Sequence, residues 1–276
     1  MKTPIAYYGG KQNMLKYILP MIPAHTTYCE PFFGGGAVFF AKPKAKNEIV
    51  NDTLDILINF YRIAQTRFEE LAREVELYLY SRRQYPEALD IIKGKVEADD
   101  VKRAAAWWFY INNTINHKIN GSMRTSLGND SPTTLAKRKH ALLSGEIVSR
   151  LEGVTIDCYD ALRVIDMYDT PDTFFYVDPP YFNADMGHYG GYTEADFVAL
   201  LDKLENIKGK FLLSSYPYDG LKRNGWNRRE IIIPIAANGA VADENKKTKF
   251  KTECLTWNYN FSGEQLGLFD GAEAAA

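Results

Sequence analysis

The chain has 276 residues, with 33 Lys and Arg against 35 Asp and Glu for a formal charge of −2, and 46% hydrophobic and 13% aromatic residues. That content excludes disorder throughout, no apolar run approaches the roughly 20 residues that span a bilayer, and the N-terminus has no apolar signal core, so neither a membrane nor secretion is expected. Cys29, Cys158 and Cys254 are scattered and odd in number, which suits a reduced cytoplasm and fits neither a disulfide framework nor a zinc site.

In chain order, Tyr28–Pro31 leads into the glycine-rich Phe32–Phe40, and Glu48–Asp52 is a short apolar run ending in acid. Leu54, Leu57, Ile58, Tyr61, Phe68, Leu71, Val75 and Leu79 recur at three- and four-residue steps, which predicts an amphipathic helix broken at Ser81–Pro86. Val101–Asn112, with the aromatic block Trp107–Tyr110, and Lys137–Arg150 predict two more helices, the block being read as core. Asn112–Thr134 reads as a long polar loop. Val154–Ile156, Thr173–Val177 and Lys210–Ser214 read as strands, with a helix from Thr193, capped through Asp196, between the last two. Strands alternating with helices predict an α/β fold with a largely parallel sheet, interrupted by a helical middle.

Three constellations bear chemistry. Phe33-Gly34-Gly35-Gly36 after a strand lets backbone approach a ligand, although the Gly-Lys-Ser/Thr ending of a phosphate loop is missing. Asp52, about twenty residues further on at a strand end, stands where doubly wound folds hold a ribose, with Asn51 the alternative. Asp178-Pro179-Pro180-Tyr181 follows an apolar strand. There the prolines fix the backbone, a carboxylate and a carbonyl offer two acceptors to an amino group, and an aromatic face lies beside them.

These residues resemble the Dam-like adenine-N6 DNA methyltransferases over nearly the whole chain. Tyr7-Tyr8-Gly9-Gly10-Lys11, Glu30-Pro31-Phe32-Phe33-Gly34-Gly35-Gly36-Ala37-Val38, Asn51-Asp52, Asp178–Tyr181 and Gly209–Ser214 are similar to the family's motifs in its order. The resemblance implies a Rossmann-like S-adenosylmethionine-dependent methyltransferase sheet. It assigns residues 1–53 and 150–262 to a discontinuous catalytic domain, 54–149 to a helical target-recognition insertion and 263–276 to a flexible tail. It implies that Tyr7, Lys11, Phe33, Gly34, Gly36, Asp52, Asp160 and Asp178 hold S-adenosylmethionine, Lys11 near its carboxylate and Asp160 on its adenine amine. Asp178, Pro179, Pro180 and Tyr181 would then methylate a flipped-out adenine without a metal. His25, His117, His140 and His188 show no ligand spacing and read as surface or DNA-facing.

A near-zero net charge argues against nucleic acid until it is counted locally. Residues 101–150 hold eight basic side chains against two acidic, and 206–251 hold ten against four, both suited to phosphate contacts with double-stranded DNA. Lys118, Asn120 and Arg124, in a region resembling the family's Asn-Gly-x-x-Arg stretch, are the candidate base readers. Gln265-Leu266-Gly267-Leu268-Phe269 resembles the peptide by which bacterial replication proteins dock on the sliding clamp, with Gln265, Leu266, Leu268 and Phe269 as its anchors. The expectation is a monomer in a bacterial or phage-infected cytoplasm, associated with the nucleoid. A catalytically silent DNA-binding regulator, or a methyltransferase for RNA or a protein amide, are the rival readings.

Overall fold

A computed structural model describes residues 1–117, 119–124, 131–182, 191–234 and 250–261. Seven strands form one sheet in the order β3-β2-β1-β4-β5-β7-β6. They are β1 (Thr27–Glu30), β2 (Asn47–Asn51), β3 (Thr155–Asp157), β4 (Thr173–Val177), β5 (Lys210–Ser215), β6 (Asn227–Pro234) and β7 (Phe250–Trp257). β1 to β5 are mutually parallel, while β7 runs antiparallel to both β5 and β6. The chain leaves β1 towards β2 on one side, and β4 pairs with β1 on the other. The order therefore reverses between the carboxyl ends of β1 and β4, where open α/β sheets bind ligands.

Period-two alternation splits the strands between two apolar layers. Tyr28, Val50, Phe174, Tyr176, Leu212 and Leu255 enter one core; Cys29, Ile49, Phe175, Val177, Phe211, Leu213 and Cys254 enter the other. Every residue of β4 is buried, which accounts for its unbroken apolar run.

Ten α-helices occur among the described residues: α1 (Leu15–Ile18), α2 (Ala37–Ala41), α3 (Asp55–Thr66), α4 (Phe68–Leu77), α5 (Gln84–Ile92), α6 (Asp100–Asn113), α7 (Ser131–Leu143), α8 (Glu146–Leu151), α9 (Ala161–Tyr168) and α10 (Glu194–Glu205). α9 and α10 cover the second layer, and α10 starts at the expected Thr193–Asp196 capping box. The helical middle extends the first layer. Trp107, Trp108, Phe109 and Tyr110 of α6 are fully buried and share one continuous core with Tyr28 and Phe174 of the sheet. The Trp108 indole donates to the Pro4 carbonyl at 3.0 Å, which ties the N-terminal segment to α6.

The periodic stretch from Leu54 to Leu79 is two helices rather than one, because the backbone leaves helical geometry at Arg67. The segment 137–150 is likewise divided, at Gly145, whose φ is +78°. Pro86 does not break α5, since it sits in the first turn, where its missing N–H has no intrahelical partner to lose. In the polar stretch after α6, Thr114 bridges Met123, and the Tyr85 and Tyr110 hydroxyls donate to the Gly121 carbonyl at 2.8 and 3.2 Å. Among the described residues, no helix is long and apolar enough to cross a membrane.

Candidate active site

One cavity of about 880 Å³ opens at the switch point. Its wall includes Tyr7, Lys11, Phe33, Gly34, Gly36, Asp178, Pro179, Pro180 and Tyr181, so the fold gathers most of the expected residues around a single space.

The glycine loop links β1 to α2. Gly34 and Gly36 have φ of +48° and +64°, a conformation that side chains rarely adopt. A Cβ on Gly36 would meet the Phe33 ring at 2.6 Å, and one on Gly35 would meet Tyr7 at 2.9 Å. Tyr7 thus packs directly on the loop. Beneath it, Phe33 contacts Phe39, Phe40 and Tyr61.

Asp52 and Asp160 stand outside the wall. Asp52 is buried behind it: one oxygen accepts from the Gly34 N–H at 2.9 Å and the other from the Leu54 N–H at 3.0 Å. Burial raises its pKa, against the pull of those N–H donors. Asn51 is fully occupied in joining loops. Its amide donates to the Pro31 and Tyr159 carbonyls, and its oxygen accepts from the Tyr159 N–H. Asp160 caps α9, accepting from the Leu162 and Arg163 N–H groups at 2.9 and 3.3 Å.

At the end of β4, Asp178 pairs with Lys11 at 2.8 Å. The Lys11 ammonium also donates to the Gly9 carbonyl and lies 4.8 Å from the Tyr181 ring centroid. It is therefore engaged by the Asp178 carboxylate, a partner that spacing alone does not reveal. Burial raises the Asp178 pKa, with Lys11 opposing it. Burial works against the Lys11 charge, yet Asp178 and then Glu253 hold its pKa above the usual lysine value.

The cavity also contains groups that the sequence did not single out. Glu30, at the end of β1, is buried, accepts from the Tyr28 hydroxyl and is pushed up to about 8 by burial. Glu253 and Lys251 of β7, Tyr216 and Tyr176 complete the wall. Glu30 lay inside a quoted motif; Glu253 had no signal, because its partner Tyr181 is on a distant strand end.

The expected DNA-facing residues are less uniform. Asn120 is exposed on the hairpin after α6 with φ +65°, and Arg124 is half-buried, 3.5 Å from the His117 ring, which lines the cavity. Lys118, His188 and the tail residues Gln265, Leu266, Leu268 and Phe269 lie outside the described residues. His25 is half-buried, packs on Tyr28 and Phe174 and bonds the Pro23 carbonyl. Several basic residues of the two positive stretches are bound internally. Arg150 pairs with Glu48, Arg138 donates to Asn112, Arg103 pairs with Asp55, and Arg223 pairs with Asp202 and Glu205. Among the described residues, no three His, Cys, Asp or Glu side chains are grouped as a metal site would need.

A seven-stranded sheet with a glycine loop after β1 and Asp-Pro-Pro-Tyr after β4 defines a Rossmann-like methyltransferase. The family model of the D12 class N6 adenine-specific DNA methyltransferases matches residues 7–216, and the chain belongs to that family. It is 27% identical to the type II methyltransferase M.MjaIII of Methanocaldococcus jannaschii, over 94% of this chain and 99% of that protein. It is 26% identical to the type II methyltransferase M1.LlaDCHI of Lactococcus lactis, over 91% and 93% of the two chains. A DNA N-6-adenine-methyltransferase of Escherichia phage P1 is 31% identical over 63% of this chain and 23% of its own length. Membership makes the chain an enzyme that methylates adenine in DNA at specific sites, and the family implies use of S-adenosylmethionine.

Proposed function

We propose that Gly34, Gly36, Tyr7 and Phe33 hold S-adenosylmethionine in this cavity, and that Asp178, Pro179, Pro180 and Tyr181 receive the amine of an adenine flipped out of duplex DNA. The observation behind this reading is that the glycine loop and Asp178 face one cavity at the switch point. The donor set fits the cofactor: open loop backbone, a buried acid in Glu30, and Asp52 directly behind Gly34. Asp52 brings two charged acceptor oxygens next to the Gly34 backbone, whereas Asn51 offers a single neutral oxygen that already accepts the Tyr159 N–H, so Asp52 is taken as the ribose residue. Asp160, with a helix already on one oxygen, is assigned the adenine amine through the other.

When bound, S-adenosylmethionine supplies a methyl group on a positively charged sulfur, open to attack by an amine. Asp178 and the Pro179 carbonyl accept the two hydrogens of the exocyclic amine, which localises its lone pair and stabilises the positive charge that develops there. Lys11 keeps Asp178 ionised until the base arrives. The Tyr181 ring stacks on the base, which cannot reach this depth while paired. Residues 54–149 serve target recognition, with Lys118, Asn120 and Arg124 reading base edges. The tail anchors Gln265, Leu266, Leu268 and Phe269 dock on a sliding clamp. The protein works as a cytoplasmic monomer, and relatives named as type II methyltransferases support a place in restriction and modification.

Incubation with labelled cofactor and bacterial DNA free of N6-methyladenine tests this directly. Label should enter adenine and not RNA or protein, and Asp178→Ala should abolish it; label in protein alone would overturn the reading. Removing residues 263–276 should abolish clamp binding and spare methylation of short duplexes; unchanged clamp affinity would remove the tail assignment.

A further inference from the structure

The Tyr181 hydroxyl lies 3.4 Å from Asp178 Oδ1 of its own loop, but its shortest bond comes from a distant strand. It donates to Glu253 Oε2 at 2.7 Å, with Ser214 Oγ of β5 at 3.3 Å. Glu253 is fully buried, and its second oxygen accepts from Lys251 at 2.6 Å. The Tyr216 ring meets Tyr181 edge-on at 4.5 Å between centroids. A buried carboxylate is costly unless it is paired and hydrogen-bonded, and an apolar residue fills such a position more readily. Here each oxygen has its own donor, and one of those donors is the tyrosine that faces the cavity. Glu253 also lies beyond residues 7–216, which match the family.

We propose that Glu253 is a positioning residue for methyl transfer: acting through the Tyr181 hydroxyl, it fixes the ring as the stacking face for the target base, and Lys251 balances its charge. The inference rests on the adenine-methylation reading of the site. A ring anchored at its hydroxyl, and bounded by Tyr216 and the Lys11 ammonium, presents one orientation to the incoming base, so less ordering is left for the complex.

A structural filler would leave the catalytic pH profile alone, whereas Glu253 touches it. The charged and titratable groups around Asp178 are Lys11 of the N-terminal segment, Glu253 and Lys251 of β7, Glu30 of β1, Tyr176 of β4 and Tyr181 of its own loop. Among them Glu253 raises the Asp178 pKa. Neutralising Glu253 should therefore move the acidic limb of the rate profile to lower pH.

The test is single-turnover methylation of bacterial DNA free of N6-methyladenine by the full chain, with S-adenosylhomocysteine binding by calorimetry as the check on folding. Glu253→Leu, which removes the acceptor altogether, should bind S-adenosylhomocysteine like the parent and slow methylation about 10-fold at the pH plateau. Tyr181→Phe should slow it similarly, and the double variant should be no slower than the slower single one, because each lacks the bond between the two side chains. Glu253→Leu at parental rate, or losses that multiply in the double variant, would overturn the proposal. If Glu253→Leu does not bind S-adenosylhomocysteine, Glu253→Asp decides, since it keeps the charge and loses the reach; a full rate there overturns the proposal and a slowed one supports it. A parent chain that labels no adenine fails the underlying reading instead, and the proposal falls with it.

Discussion

Asp178 is surrounded by charges of both signs in a buried setting, and its pairing with Lys11 at 2.8 Å keeps the loop's carboxylate usable. The motif Asp178–Tyr181 was legible because its chemistry is local in the chain: a strand, a carboxylate, two prolines and a ring. The partners that tune it, Lys11, Glu253 and Lys251, come from opposite ends of the sequence and meet only after the sheet forms. Glu30 offers a measurement at this scale. Its pKa is raised from an ordinary value of 4.5 to about 8 by burial, so the folded chain keeps a proton that the unfolded chain releases. Stability should therefore fall as pH rises from 4.5 towards 8. Glu30→Gln keeps an acceptor for the Tyr28 hydroxyl and has no proton to lose. Thermal melts should find that variant more stable than the parent at pH 8, with the difference shrinking towards pH 5.

At the scale of elements, β4, β5 and the capped α10 were readable from burial pattern and capping chemistry, because each signal spans only a few residues. The antiparallel β6–β7 pair was not anticipated. Its strands carry Arg228, Arg229, Glu230, Lys251 and Glu253, and charge inside a strand masks the alternation. Helix divisions at Arg67 and Gly145 escaped for a related reason: apolar periodicity persists across a break in the backbone when both helices face the same core. One element-level contact joins β2 to α8. Glu48, beside Lys42 at 2.5 Å and Arg150 at 2.5 Å, is almost completely buried. Burial works against its charge, yet the bonds from Arg150 and Lys42 hold its pKa below the ordinary 4.5. Its contribution is then complete above pH 4.5 and is lost as pH falls below that value. Glu48→Gln leaves two buried cations without their counter-charge and should cost about 3–5 kcal/mol in denaturant unfolding at pH 7.

Over the whole molecule, the charge count and the core lead to different lessons. Counting along the sequence suggested two positive faces for DNA, but Arg150, Arg103 and Arg223 spend their charge on acids of the same chain. Sequence composition cannot separate a basic residue that faces solvent from one that closes an internal ion pair. The core, in turn, runs without interruption from Tyr28 and Phe174 of the sheet into Trp107 and Phe109 of α6. A chain whose helical middle shares its apolar core with the sheet should unfold as one unit. Differential scanning calorimetry of the full chain should show a single transition, with calorimetric and van't Hoff enthalpies in agreement; two separated transitions would show that residues 54–149 fold independently.

By itself the sequence determined the family's chemistry and the α/β class, because the motifs and strand patterns are encoded by neighbouring residues. Only the tertiary structure decided which charges meet. Asp178 with Lys11, Tyr181 with Glu253 and Glu48 with Arg150 are pairings between distant segments, set by strand order and by the cost of leaving a buried charge alone.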